Sequence, residues 1–157
     1  MKYNYPILFV LMFGSVSLFA QTTEWAWANT GGGSSLDYGT SISVDAERNL
    51  YLTGWFNSDT ISFCSIVLTN NGKKGTSDLF IAKYDPLGTF LWVKKFGGSG
   101  EDKGTSIKTG SNGDFVLTGW FKSPSLIMGE TTLKNAGGSE IGLGIHLLGN
   151  AEVGEQR

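Results

Sequence analysis

The stretch GTSISVDAERNLYLTGWFNS at residues 39–58 returns as GTSIKTGSNGDFVLTGWFKS at residues 104–123. The two copies match at ten of twenty positions without a gap and lie 65 residues apart. A fixed period with turn residues inside each unit marks a repeat architecture, in which each unit buries its apolar face against the next. Ile42 and Val44 share one face of a short alternating segment. Further on, Leu50, Leu52 and Phe56 oppose Tyr51, Thr53 and Trp55. Alternation of this kind is a strand signal, and a strand apolar on both faces suits a sheet packed on two sides. In the second copy Asn112-Gly113 separates the two strands, which fits the positive φ of a tight primed turn and predicts an antiparallel hairpin.

Outward from this hairpin, residues 57–76 form a looser region. Residues 78–84 and 89–95 then read as two more strands around Asp85-Pro86-Leu87-Gly88, where proline presets the φ of a type I turn. The glycine-rich segment 96–103 links this unit to the next GTSI. Four short antiparallel strands per repeat with a glycine-rich link predict an all-β fold of four-stranded antiparallel β-propeller blades, in an incomplete ring of about two blades. A β-solenoid, the rival architecture, has coils of about 20–30 residues and fits a 65-residue unit less well.

The combined pattern W-x-x-x-x-G-G, D-x-G-T-S-I, L-T-G-W-F and S-D-L-F-I-A-K-Y-D-P-L-G-T-F-L-W, spread over residues 25–138, resembles the seven-bladed β-propeller repeat family of secreted bacterial proteins. That resemblance implies an exported module, often part of a longer protein with further domains.

The N-terminus agrees with export. Lys2, the apolar run 7–13 and Ala20 before Gln21 form the pattern of a signal peptide over residues 1–20, with an apolar core well short of the ~20 residues that span a bilayer. The expected plan is then a leading outer strand and linker at 21–38, a first repeat at 39–103 and a second, degenerate repeat at 104–157. The leading strand, residues 24–30, is placed by the match of Trp27 to Trp92 and reads as the outermost strand of a preceding blade. The pattern fades after Ser139, and Trp92 has no counterpart before Arg157. This predicts a truncated or frameshifted copy of a longer propeller protein.

A net charge of −2 with interspersed signs gives no electrostatic footprint for nucleic acid or an anionic membrane. Cys64 is the sole cysteine and His146 the sole histidine. Neither an internal disulfide nor a thiolate metal cluster can form. Cys64, between apolar residues, is expected as a small buried side chain. His146 lies in the degenerate tail with no hydrolase motif around it. Asp37 and Asp102 recur before each GTSI, so each is expected to serve its own blade, bonding the Gly-Thr-Ser turn, rather than to join in one catalytic pair. The segment 45–49 spaces acids as calcium loops do but lacks their glycine and final glutamate, so a plain hairpin turn is expected. The five tryptophans suggest sugar stacking or an interface, yet Trp55 repeats as Trp120 and Trp27 as Trp92, which favours packing between blades.

These readings predict no catalytic residue, no cofactor and no metal. They place the candidate ligand-binding residues in a loop that departs from the repeat, Asn70, Asn71, Lys73, Lys74 and Thr76, because loops on a rigid scaffold carry binding. The expected function is an exported, non-enzymatic binding or scaffold module at the cell surface or outside the cell. Its expected partner is a protein or a polysaccharide, with no nucleic acid, no membrane span after signal removal, and self-association through open blade edges. The alternative is a piece of a larger, glycan-active propeller protein with no function of its own.

Overall fold

The structure, a computed structural model, describes residues 24–111, 113–137 and 141–147. The expected signal peptide and the end of the chain lie outside the described residues. All twelve elements described are strands. The first blade region holds β1 (Gly31–Gly33), β2 (Asp37–Val44), β3 (Leu50–Phe56), β4 (Thr60–Phe63), β5 (Ile66–Thr69), β6 (Asp78–Tyr84) and β7 (Phe90–Phe96). The second holds β8 (Asp102–Thr109), β9 (Phe115–Phe121), β10 (Ser125–Met128), β11 (Thr131–Lys134) and β12 (Ile141–Leu147).

β2, β3, β6 and β7 form one antiparallel sheet in that order, and β8, β9 and β12 repeat its first three strands. β12 takes the third place although its sequence has lost the repeat, pairing from Ile141 opposite Phe121 to Leu147 opposite Phe115. The two units are blades, and among the described residues they do not close a ring.

The GTSI motif holds a β-bulge. In each inner strand the register slips at one threonine, Thr40 between Gly39 and Ser41, and Thr105 between Gly104 and Ser106. The unpaired residue turns its side chain back onto the sheet. Thr40 Oγ1 donates to Thr53 O at 3.1 Å, and Thr105 Oγ1 to Thr118 O at 3.0 Å. The glycine of LTGWF lies under the same bulge, where a Cβ on Gly54 would run into the Tyr38 carbonyl and one on Gly119 into that of Lys103.

The hairpin turns are wider than a two-residue primed turn. Asp45 N donates to Asn49 O at 3.0 Å and Gly110 N to Asp114 O at 2.7 Å, enclosing three residues, with Arg48 at φ 66° and Gly113 at φ 77°. Asp45 also accepts from Asn49 N (2.7 Å) and Asn49 Nδ2 (2.9 Å), so its carboxylate closes the turn. The Asp85 turn behaves likewise, its Oδ1 accepting from Leu87 N and Thr89 N at 2.8 Å each.

Within the region expected to be loose, β4 and β5 form a small hairpin that packs over the blade, and β10 and β11 repeat it. Cys64 stands at its turn with φ 50°, where the second copy has Gly129 at φ 60°. The expectation of a buried cysteine is therefore corrected: Cys64 is exposed, because a hairpin turn points its side chains outward. Residues 24–30, expected as an outer strand, form no strand. Among the described residues it has no strand to pair with, and the segment lies over the β6–β7 turn. Trp27 stacks on Tyr84 at 6.1 Å and donates to Pro86 O at 3.2 Å.

Two cores result. One lies on the front of the first blade, where Phe56, Phe80, Ala82 and Tyr84 are covered by Ile61 and Phe63 of the β4–β5 hairpin. The other lies between blades, where Tyr51, Leu79 and Ile81 meet Ile107, Phe115 and Leu117. Hydroxyls clasp the rim of that junction. Thr40 Oγ1 also donates to Gly104 O (2.8 Å), Ser41 Oγ accepts from Ile107 N (3.2 Å), and Ser43 Oγ accepts from Thr109 N (3.0 Å). The repeated motif thus serves as the joint between blades.

Candidate functional site

The loop between β5 and β6 is built by its own polar side chains. Asn70 Nδ2 donates to Phe56 O (3.3 Å) and Thr76 O (3.1 Å), while its Oδ1 accepts from Gly72 N (2.8 Å). Asn71 Nδ2 donates to Gly97 O (3.1 Å), its Oδ1 accepts from Lys95 Nζ (2.6 Å), and its backbone N–H donates to Asp78 Oδ2 (2.9 Å). Thr76 Oγ1 donates to Lys73 O at 2.7 Å. Of the five loop residues singled out in the sequence, Asn70, Asn71 and Thr76 hold the loop. Lys73 and Lys74 stand exposed at its tip. Asn70 belongs to the repeat after all: Asn135, 65 residues on, donates to Phe121 O (3.4 Å) and accepts from Gly137 N (3.0 Å). The two lysines have no counterpart, since by the strand register the second copy has only Gly138, Ser139 and Glu140 between Gly137 and β12 where the first has residues 73–77.

Beneath this loop lies Asp78, fully buried and within 3.2 Å of Lys95 Nζ. Burial pushes its carboxyl above the ordinary range, outweighing the Asn71 N–H and the Lys95 charge. Its Oδ1 has no hydrogen-bond partner and faces Gly97, where any Cβ would strike it. This carboxylate anchors the loop to the start of β6 and to β7.

Asp37 and Asp102 each serve their own blade, as the sequence led one to expect, but not through the Gly-Thr-Ser turn. Asp37 accepts from Gly33 N (2.7 Å), Ser58 Oγ (2.8 Å) and the N–H groups of Asn57 and Ser58 (both 3.2 Å). Asp102 accepts from Gly98 N (2.8 Å), Ser123 Oγ (2.6 Å) and Ser123 N (3.2 Å). Each pins its glycine-rich lead-in loop to the serine that follows Trp-Phe. With their oxygens filled this way, the two acids hold structure rather than face a substrate.

Along the end of the blades runs a stack that alternates ring and charge. Tyr38 stacks on Trp55 at 4.6 Å, Lys103 Nζ lies 4.1 Å from the Trp55 ring and 5.2 Å from Trp120, and Lys122 lies 5.1 Å from Trp120. Glu101 joins both lysines at 3.5 and 2.8 Å, and its hydrogen bond from Lys122 holds its carboxyl below the ordinary range. Trp55 has Tyr38 and Lys103 against it, so its stacking surface is spent within the chain. Trp92 meets Tyr51 edge-on at 6.0 Å. The repeated tryptophans Trp55, Trp92 and Trp120 are packing residues at or beside the blade junction. His146 lies in β12, opposite Val116. Among the described residues no three His, Cys, Asp or Glu side chains group to hold a metal ion, and no helix is long and apolar enough to cross a membrane.

Among the described residues two faces remain uncovered. On the front of the first blade, a groove of about 220 Å³ runs between Trp27, Tyr38, Ile42, Leu50 and Leu52. On the back of the second blade, Val116 and Thr118 are exposed where the first blade has buried Tyr51 and Thr53.

Comparisons with known proteins agree with this geometry. Residues 30–59 match the family model of the beta-propeller repeat (SBBP). An uncharacterized WD repeat-containing protein of Acanthamoeba polyphaga mimivirus is 28% identical over 120 residues, covering 68% of this chain and 9% of that protein. The regulatory protein FlaEY of Caulobacter vibrioides is 28% identical over 85 residues, covering 54% of this chain and 9% of that protein. The chain thus spans about a tenth of the length of these two curated relatives. The matched segment holds the Asp37 pin, the bulged β2, its turn and β3, all of which recur in the second blade, so residues 30–59 are similar to a beta-propeller repeat and the second blade repeats the same plan.

Proposed function

We propose that this chain is an exported, non-enzymatic binding module that engages an acidic protein or polysaccharide at the cell surface or outside the cell through the tip of the β5–β6 loop. One observation carries the reading: Lys73 and Lys74 are the exposed, non-repeated charges on a loop whose Asn70, Asn71 and Thr76 side chains are committed to holding its shape. A loop fixed in advance loses little freedom on binding, which favours recognition. The recurrent acids support a non-catalytic role, because each is saturated by its own blade. The N-terminal apolar segment supports export.

The test is retention on immobilised polygalacturonate and on a cell-envelope fraction, with neutral dextran as control. Saturable retention without release of product, abolished in the double variant Lys73→Ala, Lys74→Ala, supports the reading. Retention that the double variant leaves intact sinks it, as does turnover of the polysaccharide. Export is checked separately by N-terminal sequencing of the protein recovered outside the cytoplasm, with Gln21 the expected first residue.

A further inference from the structure

The two uncovered faces are the two halves of a junction that the chain already builds once. Inside the chain, the back of the first blade meets the front of the second, and Ile107, Phe115 and Leu117 become buried there. Their equivalents one period earlier, Ile42, Leu50 and Leu52, form the open front groove, with Ile42 58% exposed. The hydroxyl clasp is duplicated too. Thr40 and Ser41 reach across to Gly104 O and Ile107 N, whereas Thr105 bonds only within its own blade, to Thr118, and Ser106 is exposed.

From this we infer that the faces meet between molecules: the front of β2–β3 in one copy docks on the back of β8–β9 in a second copy, head to tail. In that arrangement Thr105 and Ser106 take the roles of Thr40 and Ser41 against Gly39 and Ile42 of the neighbour. Tyr38, which stands one period before Lys103 and is half exposed, comes to Trp120 as Lys103 comes to Trp55. The contact is between faces and leaves the hydrogen-bonding edge of β7 free.

A second copy is the occupant because the clasp has its other half on this same chain. The junction between copies is weaker than the one within the chain. β12 has Gly142 and Gly144 at the register positions where β6 has Leu79 and Ile81, and Val116 replaces Tyr51. Two large apolar side chains are lost and a third is reduced, so the copies associate reversibly. A heterologous contact grows until its rotation closes. Since propellers close at roughly four to eight blades, about two to four copies complete a ring.

The full chain is measured by light scattering over a hundredfold range of concentration, beside Ile42→Asp on the front face and Val116→Arg on the back. Both positions are exposed, so the blades themselves tolerate the change; Val44→Asp and Thr118→Arg serve as second choices should either variant fail to fold. The parent chain is expected as a discrete species of two to four copies that dissociates on dilution. Each variant alone is expected to stay single. An equal mixture of the two retains one intact junction and forms pairs and nothing larger. A parent chain that is single throughout overturns the inference. So does a Val116→Arg variant that assembles like the parent, which would mean front-to-front pairing, or an Ile42→Asp variant that does so, which would mean edge pairing. A mixture that stays single is equally fatal.

Discussion

Ile42, Leu50 and Leu52 in the first blade and Ile107, Phe115 and Leu117 in the second occupy the same places in the same motif. Yet Ile107 is 4% exposed and Ile42 58%. The strands, the bulge and the turn are alike in both copies, so local structure does not decide the difference. A neighbour does. The motif encodes a blade and also the surface by which blades adhere, and among the described residues only the second copy has that surface fully covered. This is the energetic pattern of repeat proteins, in which stability is shared between each unit and its interfaces.

The largest expected effect tests that contrast directly. Leu117→Ala, at a fully buried site in the inter-blade core, should cost about 2–5 kcal/mol in chemical denaturation, and Leu52→Ala roughly half as much or less. Equal costs at low protein concentration would break the comparison. A gap that narrows as concentration rises would sharpen it, since docking between copies covers Leu52.

Smaller effects come from the paired aspartates. Asp102 is fully buried, so Asp102→Ala strands the Gly98 and Ser123 donors away from water and should cost about 1–3 kcal/mol. Asp37 makes the same bonds where water can reach, and Asp37→Ala should cost about 1 kcal/mol or less. Thermal melts of the two variants should rank them in that order, and a reversed ranking would discard the account of burial.

The smallest effect concerns the hairpin turns. Cys64 at φ 50° carries a side chain where its counterpart Gly129 has none, a conformation that costs L-residues free energy. Cys64→Gly should stabilise the chain by roughly 0.5–1 kcal/mol. A loss of stability would show that the exposed thiol makes a contact that the turn geometry does not require.

Much of the fold was legible in the sequence. β3 and β6 lie where alternation placed them, because both are buried on two faces and leave clear patterns in Leu50 to Phe56 and Asp78 to Tyr84. The β4–β5 hairpin was not, since its strands have four residues each and its turn, Cys64-Ser65, lacks the usual glycine. The signal was present one period later, where Gly129-Glu130 turns the equivalent hairpin. Residues 24–30 resembled a strand, but strand character needs a partner to pair with, and that depends on the rest of the ring. For the candidate site, the loop's position was legible and the division of labour within it was not. Asn71 is committed by Lys95, Asp78 and Gly97, which only folding brings together, while the repeat of Asn70 as Asn135 stands in the sequence itself.

Thr40 Oγ1 holds Thr53 of its own sheet and Gly104 of the next with a single proton. The bulge of one blade and its contact with the next are therefore tied together at one atom. An array made by such a rule keeps a constant angular pitch from unit to unit, and curvature accumulates by counting. Changing the number of units alters how far the arc extends while leaving its radius fixed.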